Sequence, residues 1–173
     1  MSALVIVLMG VSSSGKSTIG ARLAKLLDWP FRDADSFHPA ANIEKMRAGI
    51  PLEDSDRWPW LDAIAHWIDQ QLSKGQSAIV SCSALKRSYR QRLIGDRRNV
   101  RLVFLKGSFE LIKKRMQQRR GHFMPLSLLH SQFQVLEEPE ADEHAITVSI
   151  SAPPQRVAHR IISALGLATA GRS

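Results

Sequence analysis

Gly10-Val11-Ser12-Ser13-Ser14-Gly15-Lys16-Ser17 is the stretch that decides how this chain is read. It fits G-x-x-x-x-G-K-[ST] and lies between an apolar run at 3–9 and an amphipathic stretch at 18–27. That strand–loop–helix setting is the one a phosphate-binding loop needs. Successive backbone N–H groups of such a loop, together with the positive end of the following helix, wrap the β-phosphate of a nucleoside triphosphate. Gly10 and Gly15 permit the tight turn, Lys16 reaches the β- and γ-phosphates, and the Ser17 hydroxyl ligates Mg²⁺. Val11, Ser12, Ser13, Ser14 and Thr18 complete the expected ATP-binding stretch, with ATP and Mg²⁺ as the expected cofactors. The motif leaves open whether the γ-phosphate goes to water, to a small molecule or to a polymer.

Outward from the loop, short β-rich runs alternate with longer amphipathic ones: 77–81 then 86–94, and 100–105 then 109–118. This is the pattern of parallel βαβ units, an α/β fold. Residues 145–149 read as a last strand. Residues 153–165 read as a last helix, with Pro153 or Pro154 in its first turn and Val157, Ile161 and Leu165 on its buried face. The insert 33–75 is too long for a bare loop, so it is expected to carry helices, one of them striped by Leu61, Ile64, Ile68 and Leu72. Trp60 and Trp67 beside that stripe read as packing residues. A second insert, 119–143, is polar and is expected to be mobile; the small, polar tail 166–173 is expected to fray.

The chain has 173 residues, 44% hydrophobic and 23% charged, enough for one closed core. No apolar run approaches the roughly 20 residues of a membrane span, and the start of the chain lacks the cationic region of a signal peptide. The single cysteine, Cys82, can form no internal disulfide and points to a reducing, cytoplasmic setting; on an apolar strand it reads as a small buried hydrophobe. Lys and Arg number 24 against 16 acidic residues, net +8, which suits an anionic partner: nucleic acid, nucleotide or organic acid. With only 6% aromatic residues and no aromatic-interleaved basic stretch, the stacking platform of a single-strand binder is missing.

The strand 77–81 runs on through Cys82 and Ser83 without an acid, which argues against a motor or switch ATPase built on a strand-end Asp. The second metal contact then falls to another carboxylate, Asp33 or Asp35, acting through water. Asp33-Ala34-Asp35-Ser36-Phe37-His38-Pro39 follows a short apolar segment, where a strand end would face the phosphates. Two carboxylates two apart on an extended chain point the same way. One could orient an attacking hydroxyl while the other holds water around Mg²⁺; the residues do not say which.

Several further motifs go with these: Asn42-Ile43-Glu44-Lys45-Met46, Gly49-x-Pro51-Leu52-x-Asp54-x-Asp56-Arg57-x-Pro59-Trp60-Leu61, Cys82-Ser83-Ala84-Leu85-Lys86-x-x-Tyr89-Arg90, and Arg119-x-Gly121-His122-Phe123. Taken with the loop and the D-x-D segment, the set closely resembles the bacterial-type gluconokinase family, from about Val5 to Glu143. Ser13 departs from it, since many members carry Gly there. The resemblance implies a three-layer P-loop kinase fold with a five-stranded parallel sheet, similar to shikimate kinase and the nucleoside monophosphate kinases. It implies transfer of the ATP γ-phosphate to the 6-hydroxyl of D-gluconate, with Mg²⁺.

Gluconate carries one carboxylate and a chain of hydroxyls, so its site needs a cationic clamp and short polar groups. Arg57, Lys86 and Arg90 are the candidates for the clamp, and His38 beside Asp35 is a candidate to bind a sugar hydroxyl. Arg115, Arg119 and Arg120 precede or open the second insert, and a lid closing there would bring one or two of them to the phosphates. Arg119 is the first choice, and with Lys16 and Asp35 it completes the expected catalytic set. The rivals are a related small-molecule kinase such as shikimate kinase and, motivated by the charge, a nucleotide-dependent nucleic-acid-binding module. The reading taken is a single-domain kinase with a small-molecule substrate, no nucleic-acid or membrane partner, and an oligomeric state open between monomer and homodimer.

Overall fold

Every side chain of strand β1, Val5–Met9, is buried, because a central strand of a parallel sheet has helices on both faces. Ile6 and Leu8 enter one core, while Val5, Val7 and Met9 enter the other. In the computed structural model, which describes residues 2–118 and 125–170, β1 is flanked by β3 (Ala78–Ser81) and β4 (Val100–Lys106). Strands β2 (Phe31–Asp33) and β5 (Ile146–Ser149) lie outside them. The order is β2-β3-β1-β4-β5, and every pairing is parallel.

On one face, helix α1 (Lys16–Leu27) packs on α7 (Pro154–Ala164) over the core of Ile6, Leu8 and Leu23. On the other, α3 (Asp54–Ser73) packs on α4 (Arg87–Ile94) over Val7, Leu61 and Leu93. The five-stranded parallel sheet and its two helical layers are as expected. The insert 33–75 carries a short 3-10 turn, Ala34–Phe37, then α2 (Ala40–Arg47) and α3. Helix α3 opens on a reciprocal capping box between Glu53 and Asp56, which satisfies two orphan backbone donors. Leu61, Ile64 and Ile68 of its stripe are fully buried, and Leu72 partly so. Among the described residues no helix is long and apolar enough to cross a membrane.

Two expectations need correction. The second insert is not wholly a polar, mobile stretch: after α5 (Phe109–Gln118), residues 126–135 form α6 (Leu126–Val135). Its Leu129 is 0% exposed, and its Phe133 ring meets Phe109 at 5.4 Å. The polarity of the neighbouring residues hid an amphipathic helix anchored by two apolar side chains. The tail is tied down as far as Ala170, whose N–H donates to Leu26 O at 2.8 Å. Residues 119–124, with Arg119, Arg120 and the Gly121-His122-Phe123 motif, lie outside the described residues, as do 171–173.

Candidate active site

The loop between β1 and α1 closes because glycine stands where no side chain fits. A Cβ on Gly10 would lie 2.7 Å from Ser14 Oγ and 3.1 Å from Leu105 O, and Gly15 adopts φ 98°, a left-handed conformation open chiefly to glycine. The Lys16 ammonium folds back over the loop, donating to Gly10 O at 2.8 Å and Val11 O at 2.9 Å. The Ser17 hydroxyl donates to Asp33 Oδ2 at 2.8 Å, joining the start of α1 to the end of β2.

Asp33 and Asp35 do not share one extended face, contrary to the expectation from their spacing. Asp33 ends β2, and its Oδ1 accepts from the Asp35 N–H at 3.0 Å, capping the 3-10 turn that carries Asp35. The turn separates the two carboxylates: one is bound to Ser17 and the turn, while the other projects with its side chain 88% exposed. Both line a cleft of about 870 Å³ that also holds Lys16, Ser17, His38 and Arg57. Even so open to solvent, the Asp35 carboxyl is held above its ordinary pKa, first by partial desolvation in the cleft and then by the Asp33 charge; His38 and Lys16 oppose the rise.

His38 is fixed from three sides, with its side chain 5% exposed. Its ring stacks on Trp60 at 4.4 Å and 10°, Asn42 Nδ2 lies 3.3 Å from its Nδ1, and its Nε2 is 4.0 Å from Asp35 Oδ1. Trp60 in turn donates from Nε1 to Ala34 O at 2.7 Å. This tryptophan, read from the sequence as packing, therefore also sets the ring plane of a candidate site histidine. Burial lowers the His38 pKa below its usual value, against the pull of Asp35 and with help from Arg57.

Of the three clamp candidates the structure brings two together. Arg57 lines the cleft, and its Nη1 is 3.5 Å from Asp54 Oδ1. Lys86 Nζ lies 3.5 Å from Asp54 Oδ2, and the Tyr89 hydroxyl donates to Asp54 Oδ1 at 2.5 Å. One carboxylate thus holds both cations and a phenol, with Lys86 at the margin rather than in the cleft wall. Tyr89, foremost, with Lys86 and Arg57 keeps Asp54 below the usual carboxylate range.

Arg90, the third candidate, does not line the cleft. It is 2% exposed, and its guanidinium donates to both oxygens of Glu143 at 2.6 and 3.1 Å and to the carbonyls of Ala84 and Leu85 at 2.9 and 3.3 Å. Lys86 is the extended N-cap of α4 and turns to Asp54, whereas Arg90 turns inward to Glu143. Cys82 is buried and its thiol is pushed up to about 12 by burial, consistent with an unreactive packing residue.

Arg115 lines the cleft from α5. So does Gln132 of α6, a residue that no sequence motif marks: its Oε1 accepts from the Ser12 N–H at 2.7 Å and its Nε2 donates to Ser12 Oγ at 3.0 Å. Among the described residues no group of three or more His, Cys, Asp or Glu could hold a metal. The hard oxygens of Ser17 and Asp33 fit Mg²⁺ instead, an ion usually held by one or two protein oxygens, water and substrate phosphates.

A glycine-shaped phosphate loop at the carboxyl end of a parallel strand, facing a paired carboxylate and a cationic wall, defines a P-loop kinase of small molecules. A family profile described as "Shikimate kinase" matches residues 12–165. Gluconokinase of Gluconobacter oxydans strain 621H is 46% identical over 157 residues, covering 91% of this chain and 88% of that protein. The crystal structure of a gluconokinase from Sinorhizobium meliloti 1021 superposes with TM-score 0.80 at 43% identity, covering 94% of this chain and 95% of that one. An unliganded sugar kinase from Janibacter sp. HTCC2649 does so with TM-score 0.87 at 45% identity, covering 95% of each chain. The chain belongs to the gluconokinases, within the wider shikimate-kinase family.

Proposed function

We propose that this protein transfers the γ-phosphoryl group of ATP to the 6-hydroxyl of D-gluconate, giving 6-phospho-D-gluconate and ADP. The observation that carries the reading is the sharing of one cleft by the phosphate loop, the free Asp35 carboxylate and Arg57. Family membership supplies the acceptor.

ATP lies along Gly10 to Ser17, its phosphates met by loop N–H groups and by Lys16, which leaves the loop carbonyls to reach them. When bound, Mg²⁺ neutralises charge on the β- and γ-oxygens, and Ser17 and Asp33 are the residues that would hold it. Gluconate lies across the cleft, its carboxylate toward Arg57 and Lys86, and His38 binds a hydroxyl of its chain. Asp35 receives the 6-hydroxyl. As the bond from O6 to the γ-phosphorus forms and the bond to the β,γ-bridging oxygen breaks, the electron pair leaves with ADP and the hydroxyl proton passes to Asp35. The raised pKa of Asp35 makes it a better proton acceptor. The transition state is loose, so Asp35 contributes orientation as well as basicity. Arg115, and Arg119 from the segment beyond α5, supply further positive charge at the γ-phosphate. A lone, buried Cys82 supports a cytoplasmic setting.

The test is a panel of acceptors in a coupled ADP-release assay with purified protein. Gluconate should give the highest kcat/KM by a wide margin. Turnover of shikimate in preference to gluconate would overturn the acceptor assignment.

A further inference from the structure

The phosphate loop of this chain contains a non-glycine residue where its turn favours glycine. Ser14 N donates to Val11 O at 3.2 Å, closing a four-residue turn whose third member, Ser13, sits at φ 65°. That left-handed conformation is costly for a residue with a Cβ, and such strain persists only where the surroundings over-determine it. The residue before it, Ser12, is gripped at two points by Gln132, 120 positions away: the amide oxygen takes its N–H at 2.7 Å and the amide nitrogen donates to its hydroxyl at 3.0 Å. Gln132 is itself held rigidly, since Leu129 on the same helix is inaccessible to solvent and Phe133 meets the Phe109 ring edge-on.

We infer that Gln132 is a positioning residue for the nucleotide: it holds the Ser12–Ser13 turn in the strained shape that the phosphate cradle requires. Glycine at 13 would need no such clamp. Serine does, and both ends of one amide supply it. The role is indirect, since Gln132 acts through Ser12 and not through the transferred phosphoryl group. It rests on the proposed kinase reading only in requiring that nucleotide bind at residues 10–17.

The experiment measures Mg·ADP binding by calorimetry beside steady-state KM values, in the wild type, Gln132→Ala, Gln132→Leu and the double variant Gln132→Ala/Ser13→Gly. Gln132→Leu keeps the bulk of the side chain, so a loss common to both single variants is not a packing defect, and thermal melts establish that each is folded. Loss of two hydrogen bonds from the loop should weaken ADP binding about three- to tenfold while KM for gluconate stays within about twofold. Ser13→Gly in the Gln132→Ala background should recover most of the lost affinity, because glycine removes the strain that the clamp opposes. Four results would overturn the inference: unchanged ADP affinity; tighter ADP binding, which would make Gln132 a competitor for the Ser12 N–H; a rise confined to gluconate KM; or no rescue by Ser13→Gly. Because ADP binding is read without an acceptor, a wild type that binds ADP yet ignores gluconate would refute the acceptor assignment and leave this inference standing.

Discussion

Ser17 and Asp33 hold each other across the mouth of the phosphate loop, hydroxyl to carboxylate at 2.8 Å, and that bond distinguishes two acids which the sequence left equivalent. Asp33 is bound to the loop and to the turn behind it, while the Asp35 side chain projects into the cleft. A short 3-10 turn between the two performs the division.

Asp35→Asn should therefore lower kcat by about 100-fold or more while ATP affinity changes little. Asp33→Asn should instead raise the Mg²⁺ concentration needed for half-maximal rate. The measurement is kcat for each variant across a Mg²⁺ series, with nucleotide affinity titrated separately; a dead Asp33→Asn beside a near-normal Asp35→Asn would exchange the roles. Stability supplies a second check. The folded Asp35 carboxyl keeps its proton to higher pH than the unfolded one, so stability falls as pH rises through the interval above 3.8 and the cost persists at neutral pH. The slowed Asp35→Asn variant should then melt above wild type at pH 7, and the gap should close below pH 3.8.

Arg57→Ala should raise KM for gluconate at least about tenfold and KM for ATP far less, since a carboxylate clamp binds one substrate only. Arg57→Lys should restore little, because a point charge cannot reproduce the guanidinium fork. Initial-rate kinetics with each substrate varied in turn decide it. Equal rises in both constants would move Arg57 to the nucleotide side.

Between its lowered folded pKa and the ordinary 6.5, His38 is neutral in the folded chain and charged in the unfolded one. The unfolded state binds more protons there, so stability rises with pH. The contribution is fully present above pH 6.5 and is lost as pH falls through the folded value. Urea midpoints measured from pH 5 to 8 for wild type and His38→Gln should converge toward acid and separate toward neutral pH. Parallel curves would mean that the ring is not buried in neutral form.

Arg90→Ala should destabilise the protein by about 2–3 kcal/mol, because two buried carbonyls lose their donor and Glu143 is left with only the Glu140 N–H and the more distant Arg87. Protein that remains folded should keep its KM for gluconate. Denaturant titration and kinetics on the same preparation test both halves: a raised KM with unchanged stability would return Arg90 to the substrate site.

Some of these residues owe their roles to contacts that no local pattern encodes. Arg90 and Lys86 lie four residues apart and share a charge, so on sequence alone they belong to one clamp. What separates them is Glu143, which arrives from 53 positions away to neutralise one of them inside the protein. Gln132 was invisible for the same reason, since glutamine on an exposed-looking helix carries no pattern of its own. Trp60 was half legible: its place beside an apolar stripe marked it as buried, but only the approach of His38 shows that it also orients a ring.

By itself the sequence determined the phosphate loop, the parallel sheet and the helices that cover it. These depend on local rules: glycines where a Cβ has no room, an apolar run long enough for one buried strand, and helical periodicity in between. The tertiary structure alone decided which acid is bound and which is free, which arginine faces the cleft, and what holds a strained serine in the cradle. Each of those outcomes is a competition for a few donors and acceptors among groups remote in sequence. Burial and distance settle such a competition, and both exist only once the chain has folded.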